Sequence, residues 1–381
     1  MLELDTTTIT LSTALIFLSI ITPMISISFR KFRNRVEESE EGFASCPPLS
    51  VVVTSYNNAE ELKLVLPHIL SQKYTSGFEV IIVTDMADKA SEDVINRFCE
   101  DKRVRSTFLP TTSRYMSKYK LAITLGVKAA KNDWVALIDT SCTPHTDQWL
   151  TTMARNCKED INIVMGYSAY GEDVKSYLRF AHIYKELYLL RKAQQSIAYT
   201  TDSRNILFRK SAFLAENGFQ GNLKFAKGEY DFLINKFAQY HSTAIEPDED
   251  GWLIENPTHK EWLHKQLYYQ ETRRHLFRSA AMRAVFNMDM TVLYFNYIAI
   301  IIVTGVALRE MNTILLSATA LAMVITLTLR IIFIKKAFRR FDANISLGAI
   351  IPFELSIIWH HLYYRVKYLM TNRNNFITHK I

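Results

Sequence analysis

The sequence predicts an α/β protein with a largely parallel sheet, joined to helices that cross a membrane. Three observations predict this. Short apolar runs rich in β-branched residues alternate with amphipathic helical patterns from residue 49 onward. Several of these runs end in polar residues and turn residues. Long uncharged stretches lie near the start of the chain and in its last third.

Length and composition narrow the class of protein. The chain has 381 residues, 49% of them hydrophobic, which is enough for one large or two ordinary domains. The net charge of +7 would suggest an anionic partner, but many Lys and Arg residues flank the apolar runs. Membrane topology explains that placement, so no nucleic-acid partner is expected. The four cysteines show neither a CxxC pair nor zinc-type spacing, so a zinc knuckle or a disulfide framework is not expected.

The first segment is predicted to be a membrane anchor, residues 1–36. Residues 6–29 carry no charge and would span about 36 Å as a helix, enough to cross a bilayer. A cleaved signal peptide is the rival interpretation, but the preceding segment is acidic and the apolar run is too long. The basic residues that follow place their side of the membrane in the cytoplasm. Residues 37–48 are polar and acidic and are predicted to be a linker.

Residues 49–280 are predicted to form the folded domain. Strands are expected at 49–54, 78–83 and 104–109, with helical patterns between them. This alternation indicates βαβ units, whose parallel strands end at one edge of the sheet. The second strand leads to Asp85 at that edge.

A further strand at 134–138 is too short for a helix and too apolar for an edge, so we expect it in the centre of the sheet. It ends at Asp139, and residues 140–144 have turn chemistry. Ligands of open α/β sheets bind beyond the carboxyl ends of the strands, so Asp139 is the first functional candidate. The alternative is that Asp139 only caps the turn.

The second half of the domain adds further elements. A strand is expected near 161–166, a helix at 176–195, and a short strand and small helix before Gly218. The segment KGEYDFLINK starts a helix with Glu229 and Asp231 in its first turn, where the helix dipole alone would favour acids. Residues 262–278 form a basic, aromatic pattern typical of a helix at a membrane surface.

Residues 281–340 are predicted to form a transmembrane hairpin. Its two uncharged stretches, 290–308 and 311–329, are separated only by Arg309 and Glu310, and basic residues follow. The last segment, 341–381, contains an apolar stretch interrupted by Pro352 and Glu354. An interfacial or re-entrant segment fits this stretch better than a fourth crossing.

From about Pro48 to Arg278 the pattern resembles the family 2 glycosyltransferases, in particular bacterial membrane-anchored members with a cytosolic GT-A domain. SVVVTSYNN is similar to the family's first strand and turn, and VIIVTDMADKASED to its second. The resemblance implies a Rossmann-like fold of the nucleotide-diphospho-sugar transferases. It also implies that Asp85 contacts the nucleotide base, although Met86 stands within what is usually an acidic doublet and a glycine.

The segment LIDTSCTPHTDQWL is similar to the family's Asp-x-Asp metal-binding segment. A metal there would neutralise the charge that grows on the departing diphosphate, so Mg²⁺ or Mn²⁺ is the implied cofactor. Asp139 matches the first aspartate, and Ser141 stands at the second position. The resemblance leaves two alternatives: a metal held by Asp139 and completed by the diphosphate and water, or a weakened or lost metal site.

Two further segments carry the resemblance. GEYDFLINK is similar to the segment that supplies the general base, which makes either Glu229 or Asp231 the catalytic carboxylate. QETRR is similar to the Gln-x-x-Arg-Trp motif, which implies that Gln270 and Arg273 lie near the acceptor end and the diphosphate; Arg274 replaces the tryptophan.

Three cations are candidates for the donor's phosphates. Lys120 is assigned to the donor, and Arg114 and Lys118 are further candidates; the alternative is that these side chains are merely solvated.

The implied function is membrane-bound glycosyl transfer, with inversion, from a UDP- or GDP-sugar to a lipid-linked or polysaccharide acceptor. The expected location is the bacterial inner membrane, in contact with membrane lipid, with several crossings, a cytoplasmic catalytic domain and a role in building cell-envelope polysaccharide. The main alternative is a degenerate, non-catalytic GT-A membrane protein that binds nucleotide or a partner. Dinucleotide and P-loop chemistry are disfavoured because neither GxGxxG after the first strand nor GxxxxGK[ST] occurs.

Overall fold

A computed structural model describes residues 5–26, 32, 46–110, 116–195, 198–239, 241–341 and 344–378. These residues fall into two compact units. The sheet unit lies within Phe32–Ser279 and His361–Ile381, and the helical unit lies within Met1–Lys31 and Ala280–His360. Parts of the predicted anchor and linker, and the candidate phosphate contact Arg114, lie outside the described residues.

Strands occur only in the sheet unit among the described residues. They are Leu49–Thr54 (β1), Phe78–Asp85 (β2), Val104–Leu109 (β3), Trp134–Asp139 (β4), Cys142–Pro144 (β5), Ile163–Gly166 (β6), Ser168–Tyr170 (β7), Ile206–Arg209 (β8), Thr243–Glu246 (β9) and Leu253–Glu255 (β10). The helices are Thr6–Ile25 (α1), Ala59–Leu70 (α2), Lys89–Asn96 (α3), Lys118–Ala129 (α4), Trp149–Ala154 (α5), Ser176–Gln195 (α6), Lys210–Ala215 (α7), Glu229–Phe237 (α8), His259–Thr272 (α9), Ser279–Arg309 (α10), Thr313–Phe338 (α11) and Leu347–Met370 (α12).

The main sheet of the described strands has the order β3-β2-β1-β4-β8-β6-β9. β3, β2, β1 and β4 are parallel, which confirms the prediction for the first half of the domain. β8 runs antiparallel to both of its neighbours, β4 and β6, so the sheet is mixed and not purely parallel. β8 is only four residues long, and a run of that length predicts a strand without giving its direction.

The second sheet of the described strands has the order β5-β10-β7 and follows directly from the end of β4. Residues 142–144 were expected to be part of a turn, but they form β5 and pair antiparallel with β10. The partner of this three-residue strand is more than 100 residues away, so no local pattern reveals it.

The core explains why β1, β2 and β4 form where they do. β1 and β2 are buried along their whole length, and β4 is buried up to Ile138. α2 packs Leu62, Leu66 and Ile69 into the same cluster as the alternate β1 residues Val51 and Val53. Each such side chain contributes roughly 1.5–3 kcal/mol when fully buried.

The other face of β1 is covered by α4. Gly126 allows this close packing, because a Cβ added there would lie 2.4 Å from Cγ1 of Val52. Val52 points opposite to Val51 and Val53, since side chains alternate along a strand.

The predicted helix over 262–278 is displaced in the structure. α9 begins at His259 because Thr258 and Glu261 form a capping box, in which the Thr258 hydroxyl accepts from the Glu261 amide. α9 ends at Thr272, and residues 273–278 turn before α10. Arg278 has a positive φ of 65°, which ends any continuous helix there.

The helical unit contains α1, α10, α11 and the first part of α12. Among the described residues, three helices are long and apolar enough to cross a membrane: Thr6–Ile25, Ser279–Arg309 and Thr313–Phe341. The predicted anchor helix and hairpin are therefore present as helices, although α10 begins eleven residues earlier than the uncharged stretch at 290. Asn312 caps α11, its Oδ1 accepting from the Leu315 amide at 3.0 Å.

Polar side chains join the helices of this unit. Arg330 of α11 and Glu354 of α12 form an ion pair, and both side chains are fully buried. The carboxylate of Asp289 on α10 lies 3.7 Å from Nη1 of Arg330. Asn296 of α10 donates to the Thr326 hydroxyl of α11 at 2.9 Å. Such contacts fix the helices to one another where apolar surroundings give little directional preference.

Candidate active site

The carboxyl ends of β1, β2 and β4 bring the predicted strand-end residues to one edge of the sheet. Thr54 of β1 lies directly opposite Asp139 of β4. On the other side, Thr54 pairs with Val83 of β2, two residues before Asp85. Parallel pairing thus brings the two acids to the same edge, on either side of β1, as the strand pattern predicts.

Asp85 is held by a neighbouring cation. Its carboxylate accepts from Nζ of Lys118 at 2.5 Å and from the Ala87 amide at 3.1 Å. The hydrogen bond from Lys118 lowers the pKa of Asp85, so this carboxyl is ionised at neutral pH. The Lys118 ammonium also lies 4.8 Å from the centre of the Tyr56 ring.

A cleft of about 210 Å³ opens beside this pair. Its walls combine aromatic, small polar and cationic side chains. The lining residues are Thr54, Ser55, Tyr56, Leu109, Ser117, Lys118, Tyr119, Ala122, Ala226 and Lys227. Aromatic rings offer a flat surface for a base, and the two lysines offer positive charge for a phosphate.

Asp139 is surrounded by donors. Its Oδ1 accepts from both the amide and the hydroxyl of Ser141, each at 3.0 Å. Its Oδ2 accepts from the Tyr119 hydroxyl and lies 3.6 Å from Nη1 of Arg204. Burial and the charge of Asp139 raise the pKa of Tyr119 well above its usual range, so the phenol keeps the proton that it donates.

Arg204 is the main site residue that sequence reasoning missed. Its Nη1 donates to the Ser141 hydroxyl at 2.7 Å, and its Nε lies 3.7 Å from the carboxylate of Glu255 on β10. Burial opposes its charge, but the carboxylates of Glu255 and Asp139 outweigh that effect and keep its pKa above the usual range. Arg204 stands 63 residues after Ser141 in an irregular loop, so no motif spacing connects the two.

The residues around Asp139 do not fit a protein-held divalent metal. The expected donor set, Asp139 and Ser141, supplies one carboxylate and one neutral hydroxyl, and both carboxylate oxygens already accept hydrogen bonds. The guanidinium of Arg204 adds a positive charge where a cation would bind. Within the described ranges, no three His, Cys, Asp or Glu side chains come together in a way that could hold a metal ion.

The two candidate bases, Glu229 and Asp231, stand in the first turn of α8 but have different surroundings. Asp231 accepts hydrogen bonds from the hydroxyls of Thr200 and Thr272, the latter at 3.3 Å. Glu229 is buried at 5% exposure, and its Oε1 has no hydrogen-bond partner among the described residues. Burial raises the pKa of Asp231 to about 6, whereas its hydrogen bonds with Thr200 and Thr272 limit the increase.

The Gln270–Arg273 segment forms the end of α9, beside the start of α8. Thr272, between the two motif residues, connects them to Asp231. Gln270 is buried, and its Oε1 has no partner within the described part of the chain. Arg274, where the motif has tryptophan, donates to the Tyr368 hydroxyl at 3.4 Å.

The structure does not place Lys120 in the cleft. Its side chain is fully buried, and its Nζ donates to the carbonyls of Phe225 and, at 3.1 Å, of Asn222. Burial lowers its pKa to about 8, and the nearby Glu229 partly offsets this. The amine therefore holds the loop before α8 in place and is not directed at a ligand.

The loop that carries Arg204 is held by buried charges. Asp202 is 2% exposed and receives His182 Nδ1 at 2.6 Å and Lys185 Nζ at 2.7 Å. The ammonium of Lys265 on α9 lies 3.5 Å from the same carboxylate. Glu186 accepts from the Asp202 amide at 2.8 Å. These contacts attach the loop to both α6 and α9.

Gly228 fixes the start of α8, which gives a testable consequence. Its φ is +95°, and an added Cβ would lie 2.6 Å from Cγ2 of Thr272. We expect Gly228→Ala to destabilise the protein by about 1–2 kcal/mol from the backbone strain alone, and to displace Thr272 from Asp231. Thermal unfolding of the full chain in detergent measures the effect, with Gly221→Ala as the control. Gly221 also has a positive φ but has nothing within 4 Å, so a larger loss in Gly228→Ala isolates the contact.

A mixed sheet whose strand ends present carboxylates and cations to a cleft defines an α/β enzyme that binds a nucleotide. Residues 50–214 match the family described as Glycosyl transferase family 2, and over this range the chain belongs to that family. The chain is therefore a glycosyltransferase with a GT-A fold. No curated protein matches the chain.

Solved structures are similar at the level of the fold. One is the mannosyltransferase PcManGT from Pyrobaculum calidifontis in complex with GDP-Man and Mn²⁺, at 14% identity and a TM-score of 0.53, over 84% of this chain and 97% of that one. Another is S. aureus TarS 1–349 in complex with UDP-GlcNAc, at 12% identity and a TM-score of 0.42, over 84% of this chain and 92% of that one.

Proposed function

We propose that this chain is a membrane-bound glycosyltransferase that moves a sugar from a UDP- or GDP-sugar to a lipid-linked or polysaccharide acceptor. One observation carries the proposal: Asp85 and Asp139 lie at one sheet edge, with Lys118 paired to the first and Arg204 beside the second. The match of residues 50–214 to the family supports it.

The proposed donor site is the cleft that begins at Asp85. The base lies near the Asp85 carboxylate and the Tyr56 ring, and the diphosphate extends toward Asp139. Lys118 and Lys227 border this path and supply charge for the phosphates. Gln270 and Arg273 belong to the acceptor end of the site, beside Asp231 through Thr272.

Asp231 is the proposed general base. The acceptor hydroxyl gives its proton to the Asp231 carboxylate as its oxygen attacks the anomeric carbon. The bond from that carbon to the diphosphate oxygen breaks, and the nucleoside diphosphate leaves with the electron pair. A single displacement inverts the anomeric configuration. Asp231 is preferred to Glu229 because its carboxylate faces Thr272 of the acceptor motif and its pKa of about 6 suits proton transfer near neutral pH.

Membrane attachment is part of the proposal. Three helices of the described chain are long and apolar enough to cross a bilayer, and basic residues follow the first and last of these segments. The positive-inside rule then supports a cytoplasmic catalytic domain in a multi-pass protein, and we propose the bacterial inner membrane as its location. An acceptor built at that surface, and a role in cell-envelope polysaccharide synthesis, follow from this placement.

A second candidate function is a degenerate GT-A protein that binds nucleotide without turnover. Ser141 in place of a second aspartate is the observation that favours it. The full chain in detergent, given a panel of UDP- and GDP-sugars with water as acceptor, separates the two candidates through release of nucleoside diphosphate. Release that is lost in Asp139→Ala supports the transferase. Binding of the donors with no release supports the degenerate protein.

The pH dependence of donor hydrolysis tests Asp231. The carboxylate accepts a proton only when ionised, so the rate should fall as pH decreases through about 6, by about tenfold per unit below it. The stability should change in the opposite sense. Since the unfolded carboxyl ionises near 3.8 and the folded one near 6, stability should decrease as pH rises between those values. An acid limb near 4 would contradict the assignment.

A further inference from the structure

Arg204 occupies the position that a metal would need beside Asp139. Its Nη1 is 2.7 Å from the Ser141 hydroxyl and 3.6 Å from Asp139 Oδ2. Ser141 therefore connects the two charged side chains, accepting from Arg204 and donating to Asp139. A hydroxyl can do this, whereas a second aspartate here would supply the carboxylate pair that holds a divalent cation.

The guanidinium is held firmly but is not used up. Its loop is fixed by the Arg204 amide, which donates to the Ser168 hydroxyl at 3.0 Å and to Glu255 Oε1 at 3.3 Å. The side chain remains 32% exposed. Within the described part of the chain, Nη2 makes no hydrogen bond, so its N–H groups are available to a ligand. Arginine presents such donors in a rigid planar fork that suits phosphate oxygens.

We propose that Arg204 supplies the positive charge at the donor's diphosphate, so that glycosyl transfer by this chain needs no divalent metal. The inference rests on the proposed function and assigns the cation of that site. As the bond between the anomeric carbon and the diphosphate oxygen breaks, the electron pair stays on that oxygen, and the guanidinium stabilises the developing charge. Asp139 and Glu255 position the guanidinium from either side and do not bind a metal.

The test measures release of nucleoside diphosphate from UDP- and GDP-sugars by the full chain in detergent, with EDTA or with Mn²⁺. We expect equal rates in both for the wild type and a loss of about 10²–10³-fold for Arg204→Ala. Arg204→Lys, which keeps the charge without the fork, should recover part of the rate. Arg103→Ala is the control for loss of a guanidinium, since Arg103 pairs only with nearby Asp101 and is 39% exposed.

A binding measurement separates a role at the diphosphate from a structural role. Wild-type protein should prefer UDP over uridine, or GDP over guanosine, and Arg204→Ala should reduce that preference at least tenfold while still binding the nucleoside. A variant that merely misfolds would lose both.

Three results would overturn the inference. EDTA-sensitive release that Mn²⁺ restores would show that a metal is required, and the proposed function would stand. An unchanged rate and preference in Arg204→Ala would show that the guanidinium does not act on the diphosphate. No release from any donor, with or without Mn²⁺, would overturn the proposed function and this inference with it.

Discussion

Asp231→Asn should lower donor hydrolysis by about 10²–10⁴-fold without unfolding the protein. The amide has the same shape as the carboxylate and can still accept from Thr200 and Thr272, so the contacts of α8 survive. It cannot accept the proton of the attacking oxygen. The donor KM should remain within a few fold, because Asp231 faces the acceptor side and not the Asp85 cleft.

Glu229→Gln is the matched control for this variant. It makes the same chemical change two residues earlier in the same helical turn, at a side chain that faces Lys120 and not the acceptor motif. Its rate should stay within about tenfold of the wild type. If Glu229→Gln is the inactive variant and Asp231→Asn retains activity, the general base has been assigned to the wrong carboxylate.

Asp202→Ala should cause the largest loss of stability, about 3–5 kcal/mol. The substitution leaves His182, Lys185 and Lys265 around a buried position with no negative charge between them. For a domain of this size the change corresponds to a fall in Tm of roughly 6–20 °C. Thermal unfolding of the full chain in detergent, followed by tryptophan fluorescence, measures it.

Asp147→Ala provides the comparison, because Asp147 forms an exposed pair with Lys73, with side chains 41% and 70% exposed. Its loss should be below about 1 kcal/mol. Should Asp202→Ala fail to purify, Asp202→Asn keeps the shape and still removes the charge. Equal melting temperatures for the Asp202 and Asp147 variants would show that the buried charges do not hold the Arg204 loop.

The sequence was informative where structure depends on local pattern. β1, β3 and β4 lie within one residue of their predicted bounds, and β2 extends two residues further, because runs of buried apolar residues bounded by turns leave little choice. The three-residue strands of the second sheet were missed, since each is stabilised by a partner distant in the chain. The direction of β8 depends on its neighbours in the same way.

The site divides along the same line. Asp85 and Asp139 could be placed together because parallel strands end at one edge. Arg204 could not, since its position depends on Asp202, which is fixed by side chains from two other helices. Lys120 is a cation at a helix start, but Phe225 and Phe232 from a remote segment enclose it, and no local pattern reports that burial.

The central claim is that the sheet edge at Asp85 and Asp139 binds a nucleoside diphosphate. Calorimetric titration of UDP and GDP into the full chain in detergent, repeated with Asp85→Ala and with the surface control Asp147→Ala, tests it most directly. We expect one of the two nucleotides to bind with a 1:1 ratio, the affinity to fall at least tenfold in Asp85→Ala, and the control to match the wild type. Binding that is equally strong in Asp85→Ala, or no binding of either nucleotide, would contradict the account.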